Sequence, residues 1–301
     1  MGFFLNINFI KIIASTIFAL LAFAANSVLC RLALGDNAID ASSFTIIRLL
    51  SGIIILIIVL QLTRKSNEIK PKSKGSWLAA GMLFIYAIAF SFGYISLDTG
   101  TGALILFGAV QITMIMASVI SGNKLHFTEW VGLIIAFSGF VYLIVPSLVT
   151  PSFKGFILMA VSGVAWGLYT LAGRTSKNPL SDTAYNFMRT SPFILILIIF
   201  GLNDAHITPM GILLAVLSGG IASGIGYFVW YIALRGLSVT QAAVVQLFVP
   251  VIAAAGGIVF ANELITLRLV ESSALVLGGI LTVILGRYYF VQLAAKKPPI
   301  T

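Results

Sequence analysis

The sequence predicts an all-α integral membrane protein with ten transmembrane helices arranged as two inverted five-helix repeats. Three observations carry this. Hydrophobic residues make up 59% of the 301, charged residues only 9%, and mean hydropathy is +1.09, more apolar than a soluble core of this length requires. Apolar runs of about 20 residues, the length a helix needs to cross a bilayer, recur along the whole chain. They fall into two sets of five, and an odd number of spans per set turns the second set upside down relative to the first.

Taken in order, the first set is expected near 10–30, 43–63, 76–95, 101–121 and 129–146. The second is expected near 154–174, 183–201, 209–233, 238–260 and 269–290. Turn-forming residues punctuate them: Gly35-Asp36-Asn37, Pro71, Asp98-Thr99-Gly100, Gly122-Asn123, Pro146, Pro151, Asn178-Pro179, Asn203-Asp204 and Pro209. In the first span, Ala22-Phe-Ala-Ala-Asn26 imitates a leader-peptide cleavage site. The apolar run continues through Cys30 to spanning length, so the segment reads as a retained helix. The domain expectation is one repeat over residues 1–150 and one over 151–301.

Basic residues are retained on the cytoplasmic side, so their distribution sets orientation. With the N-terminus inside, thirteen of the 18 Lys and Arg residues fall in inner loops and tails, and Arg31, Lys154 and Arg268 in outer loops. Both termini are therefore expected in the cytoplasm. The net charge of +9 reads as this retention, not as a nucleic-acid footprint. Cys30 is the single cysteine, which excludes an intramolecular disulfide and a cysteine-built metal site. His126 and His206 fall in loops, and all nine acids lie in loops or at span ends, so no cofactor, metal site or mid-membrane proton relay is predicted.

An internal repeat is visible in the residues themselves. Ser43-Phe-Thr-Ile-Ile-Arg48 opens the second span and Ala184-Tyr-Asn-Phe-Met-Arg189 opens the seventh, with Asp40 and Asp182 upstream of each arginine. The stretch Gly122–Gly132 aligns with Asn262–Ser272 at nearly the same offset, leading into Phe137-Ser-Gly139 and Leu277-Gly-Gly279.

Further residues make a resemblance specific: Ala165-Trp166-Gly167 in the sixth span, Tyr231-Ile-Ala-Leu-Arg235 before the ninth, Pro250 within it, and Asn262-Glu263-Leu264 at its end. In this order the chain resembles the drug/metabolite transporter superfamily, in particular its EamA-type ten-helix members. The first half departs from the pattern, with Ala24-Ala25-Asn26 in place of a Trp-Gly, no proline in the fourth span, and Asn123 opposite Glu263. The resemblance implies a secondary transporter of a small organic metabolite, an amino acid or related compound, exported across the bacterial inner membrane. Alternating access would expose a cavity between the halves to either side. Neither monomer nor homodimer is singled out.

Candidate working residues follow from what is costly in a bilayer. An arginine within a span costs about 2.5–3.5 kcal/mol at mid-helix. Arg48 and Arg189 lie one to two turns from their helix starts, so they are expected near opposite membrane faces. Each serves a gate or attracts an anion on one reading, and snorkels to its interface on the other. Pro250 removes a hydrogen bond from the Gln246 carbonyl and kinks the ninth span beside the Gln246 amide, which makes either a substrate-contact point or an ordinary packing kink satisfied by neighbouring helices. Gln111 and Asn26 are mid-span amides that either line a cavity or bond between helices. Trp166 with Tyr169 and Thr170, and Tyr227 with Trp230 and Tyr231, give spans six and eight aromatic faces. Trp230 and Tyr231, near the inner end, also suit an interfacial aromatic belt. The glycines around Gly219-Gly220 and Gly224 read as close helix contact.

Two other classes are poorly served. An intramembrane lipid-modifying enzyme needs a cluster of acids, histidines or a nucleophile, and no such motif is present. A passive channel needs rings of charge or filter carbonyls. No phosphate-binding loop indicates an ATPase. Within the carriers, the alternative substrate is a phosphorylated or nucleotide-linked anion taken by exchange or import, for which only Arg48 and Arg189 offer charge.

Overall fold

Runs of leucine, isoleucine, valine and phenylalanine with polar residues confined to connections form helices here, and little else. A computed structural model of the protein describes residues 2–63, 74–122, 126–144, 152–174, 176–201, 205–237 and 239–296. Most of the basic loop between the second and third spans (residues 64–73), Lys124 and Asn123 lie outside the described residues. The first half contains α1 (Gly2–Gly35), α2 (Ala41–Leu62), α3 (Trp77–Tyr94), α4 (Thr99–Ile120) and α5 (Phe127–Ile144). The second contains α6 (Phe153–Gly173), α7 (Pro179–Met188), α8 (Ser191–Gly201), α9 (Pro209–Val216), a π-helical segment (Leu217–Ile225), α10 (Gly226–Leu234), α11 (Val239–Gln246), α12 (Phe248–Ala261) and α13 (Leu267–Lys296). Among the described residues, eight helical stretches are long and apolar enough to cross a membrane, and Phe127–Leu143 and Phe248–Ala261 are shorter apolar helices. No strand occurs among them beyond an isolated bridge between Ile39 and Ile207.

Short polar side chains start the helices by accepting from otherwise unpaired backbone N–H groups. Asp40 caps α2 through Ser43, Ser76 caps α3 through Ala79, and Ser152 caps α6 through Gly155. Asn178 and Thr208 do the same ahead of Pro179 and Pro209, whose fixed φ and missing N–H suit a first helical turn. Asn262 ends α12 in the left-handed conformation at φ 50°.

The spans expected over 183–201 and 238–260 are each broken. α7 stops at Met188 and α8 begins at Ser191, because the Pro192 ring opposes the carbonyl four residues back, that of Met188. α11 stops at Gln246, four residues ahead of Pro250, for the same reason, and α12 begins at Phe248. The eighth span is continuous but changes pitch through its π-helical segment, which is rich in glycine. A Cβ at Gly219 would collide with the Arg48 carbonyl oxygen, so α2 and this segment touch backbone to backbone.

Packing follows the repeat. α3 lies against α6, and in the same way α9, the π segment and α10 of the second half lie along α1 of the first. α5 and α13 form the most extensive helix pair, and α4 packs on α12. One relation is unequal: α2 packs closely on the π segment, whereas α7 touches α3 much more slightly. Large apolar side chains on outward faces, among them Ile54 and Ile58 of α2 and Leu195, Ile199 and Phe200 of α8, remain uncovered by protein. Such faces suit a hydrocarbon solvent.

Candidate functional site: a central arginine–tyrosine chamber

One set of buried polar groups meets between α1, α2, α3, α6 and the eighth span. Arg48, only 1% exposed, projects from α2 into it. Its Nε donates to Ser223 Oγ at 3.2 Å, and its Nη2 donates to the hydroxyls of Tyr86 at 2.9 Å and Tyr227 at 3.0 Å. The Tyr227 hydroxyl in turn donates to that of Tyr86 at 2.9 Å. Asn26 Nδ2 donates to the Tyr86 hydroxyl at 3.0 Å, and Ser218 donates to Asn26 Oδ1. The π-helical segment thus supplies both Ser218 and Ser223, one at each end of a chain of hydrogen bonds crossing four spans. The Arg48 guanidinium carbon also lies 5.1 Å from the Tyr86 ring centroid and 4.8 Å from that of Phe90, within cation–π range.

Aromatic rings close around this network. Trp166 sits 4.5 Å from Tyr227, 5.0 Å from Tyr86 and 5.4 Å from Tyr169, measured between centroids. Phe23 meets Trp166 at 5.5 Å and Trp230 at 5.6 Å in edge-on contacts. A cavity of about 10 Å³ remains, lined by Phe23, Ser27, Tyr86, Phe90, Leu106, Phe107, Trp166 and Tyr227. That is room for a single water. The indole N–H groups of Trp166 and Trp230, Thr170 Oγ1 and Arg48 Nη1 are buried without a hydrogen-bond partner.

Both ends of the bundle are fastened. At one face Arg31 of α1 pairs with Glu263 at 3.1 Å and Asp98 at 3.5 Å. The Glu263 carboxylate also accepts from Thr99 N, satisfying the first turn of α4, which Asp98 leaves without a side-chain cap. On this face the Asp40 and Thr208 backbone N–H groups donate to the carbonyls of His206 and Ala38. At the opposite face Gly75 N donates to Asp182 and Ser76 N to Asn186, both at 2.9 Å. Arg189 there donates to the Lys74 carbonyl and lies over the Trp77 ring, and Arg235 donates to the Lys177 carbonyl.

Of the residues singled out from sequence, Arg48, Asn26, Trp166, Tyr169, Tyr227, Trp230 and Tyr231 come together in this network and its aromatic wall. Arg48, one to two turns into α2, turns its side chain inward onto Tyr86 and Tyr227, where the glycine-rich π segment approaches closely. Trp230, which also suited a belt, is fully buried. Arg189 does not join the cluster, since α7 ends beneath it. Thr170 and Gln111 are buried on α6 and α4. Gln246 is buried at the break before Pro250, where its Nε2 donates to the Ala242 carbonyl at 3.3 Å. Tyr86, Phe23, Phe90 and Ser223 were not singled out. Tyr86 was findable: it precedes Tyr227 by the same offset that relates Arg48 to Arg189, as Phe90 precedes Tyr231. Among the described residues, no group of three or more His, Cys, Asp or Glu side chains could hold a metal.

These features define a multi-pass membrane protein built of two related halves around a buried polar centre. The EamA-like transporter family matches the chain twice, over residues 10–145 and 153–285, and the chain belongs to that family. It is 45% identical over 272 residues to "Uncharacterized protein PA1977" of Pseudomonas aeruginosa, spanning 90% of this chain and 94% of that one. It is 28% identical over 260 residues to an "Uncharacterized transporter" of Archaeoglobus fulgidus, spanning 83% of this chain and 89% of that one. A crystal structure at 18% sequence identity shares the fold with a TM-score of 0.64, covering 90% of this chain and 98% of that one.

Proposed function

We propose that this chain is a secondary transporter that exports a small organic metabolite, an amino acid or related compound, by alternating access. On this reading ten transmembrane helices form two inverted five-helix repeats, residues 1–150 and 151–301, in a bacterial inner membrane. Both termini are cytoplasmic, and the protein works as a monomer or homodimer. The observation that carries the reading is the Arg48–Tyr86–Tyr227 network, a buried charge held where the two halves meet. An ionisable residue enclosed within a membrane bundle marks a substrate or ion path more readily than a packing need. Its position between matched repeats is where carriers hold substrate.

The latches at both faces and the nearly closed cavity fit an occluded state. In the proposed orientation the Arg31–Glu263–Thr99 latch lies outside, and the contacts of Lys74, Gly75 and Ser76 with the α7 region lie inside. Access to either side requires one set to part while the other holds. The glycine-lined contact between α2 and the π segment provides a smooth surface for such sliding.

Counterflow into proteoliposomes, screened against amino acids, organic acids, amines and nucleotides, tests the reading. Saturable movement of one class is the expected result. Failure to move any solute under every imposed gradient would sink it.

A further inference from the structure

We infer that the transported solute is a monoanionic carboxylate with a flat apolar body, and that its carboxylate engages Arg48. This rests on the transporter reading above and narrows its substrate class to a carboxylic acid related to the amino acids but without their ammonium group. The Arg48 side chain is buried and three of its hydrogen bonds go to neutral hydroxyls. Nη1 has no hydrogen-bond partner, and no carboxylate among the described residues pairs with Arg48. A buried guanidinium without an anion is in a costly state that a bound carboxylate would relieve, through a charge-assisted hydrogen bond.

The surroundings narrow the ligand further. Tyr86, Phe90 and Tyr227, which enclose the guanidinium, are also three walls of the cavity, and its remaining lining is aromatic, leucine and Ser27. Arg48 itself lies behind these three walls and no acid lines the cavity, so an amine entering between them would meet the Arg48 charge unopposed. A single cation balances one negative charge. Arg189, its repeat mate, is committed to the Lys74 carbonyl and the Trp77 ring. A phosphate monoester would therefore bring a second charge with no counterpart. The rings of Phe23, Phe107 and Trp166 offer faces and edges to a planar body. The buried, unpartnered indole N–H of Trp166, a residue of the cavity wall, adds a further donor, again favouring an anion.

Entry of such a ligand into about 10 Å³ must separate these rings, and two of the four tryptophans stand among them. Intrinsic fluorescence of the purified full chain therefore reads occupancy. We would titrate four probes of similar size: 3-phenylpropionate, 3-phenylpropionamide, 3-phenylpropylamine and phenyl phosphate. The expected result is a saturable change with 3-phenylpropionate and binding weaker by about tenfold or more for the other three. Equal binding of the amide or the amine would overturn the carboxylate assignment while leaving a solute-binding chamber, and so the transporter reading, intact. Tighter binding of phenyl phosphate would overturn the single-charge argument. No response to any probe would overturn the proposal outright, and the counterflow screen would still judge transport separately. Because the wild-type series decides the matter, it stands even if Arg48→Gln fails to fold. If Arg48→Gln folds, it should bind acid and amide alike.

Discussion

Arg48 and Arg189 occupy equivalent positions in the two halves and have opposite fates. Arg48 sits in an unbroken helix and is 1% exposed, held by Ser223, Tyr86 and Tyr227. Arg189 caps the end of a ten-residue helix and fastens a loop. The cause lies three residues further on. Ser51 follows Arg48 and lets α2 continue, donating to the Arg48 carbonyl at 3.0 Å, whereas Pro192 follows Arg189 and breaks the helix. The facing surfaces differ as well: Gly219 admits the middle of α2 to backbone contact, whereas α7 is approached closely only at the start of α3, through Gly75 and Ser76. A repeat therefore duplicates positions without duplicating environments, and one copy was left to hold the centre.

The comparison can be broken first at Arg48 itself. Arg48→Lys keeps a charge but cannot reach three hydroxyls from a planar fork. Transport should fall by about a hundredfold, as expected when several charged hydrogen bonds are lost together. Proteoliposome flux checks this, with thermal unfolding run in parallel to confirm a folded chain.

Gly219→Ala attacks the contact that turns Arg48 inward. The added methyl meets the Arg48 carbonyl and the Ser51 hydroxyl, so overpacking should cost about 1–3 kcal/mol. A lowered unfolding temperature together with reduced transport is the expected pair of readings. An unchanged temperature would mean that α2 and the π segment are not in backbone contact.

Tyr86→Phe and Tyr227→Phe sharpen the comparison, because these two are related by the same offset yet both serve Arg48. Each removes one hydrogen bond to a charged group, so each should weaken substrate binding by roughly tenfold. Tyr86→Phe also removes the acceptor of Asn26 and Tyr227, so its effect should be the larger of the two. A larger effect at Tyr227 would show that Tyr86 is not the hub of the network.

The smallest effect is expected at Arg189. Arg189→Ala loses a loop hydrogen bond and a cation–π contact at a half-exposed site, about 1 kcal/mol in unfolding stability. Transport by the folded protein should stay within about twofold of wild type, since 1 kcal/mol leaves most molecules folded.

Much of this architecture was legible in the sequence, because hydrocarbon length and turn chemistry are local properties. Pro179, Pro209, Asn178 and Ser152 mark helix starts by themselves, and Pro250 marks a break in the ninth span. The aromatic faces of spans six and eight were visible as four-residue spacings. What escaped was partnership. Arg48 has no visible partner until Gly219, about 170 residues away, brings the π segment and Ser223 against α2. Tyr86 looks like any aromatic in an apolar helix until the repeat offset ties it to Tyr227. Trp230 suits a belt as well as an aromatic face until Phe23 is seen to cover it. Each depends on which helices meet, and hydropathy does not encode that.

The most direct measurement is counterflow by Arg48→Lys and Arg189→Lys side by side, reconstituted at equal density and assayed with the solute that wild type moves. Near-complete loss for Arg48→Lys with near wild-type flux for Arg189→Lys is the predicted result. Equal retention by both, or greater loss at Arg189, would contradict a substrate site centred on Arg48.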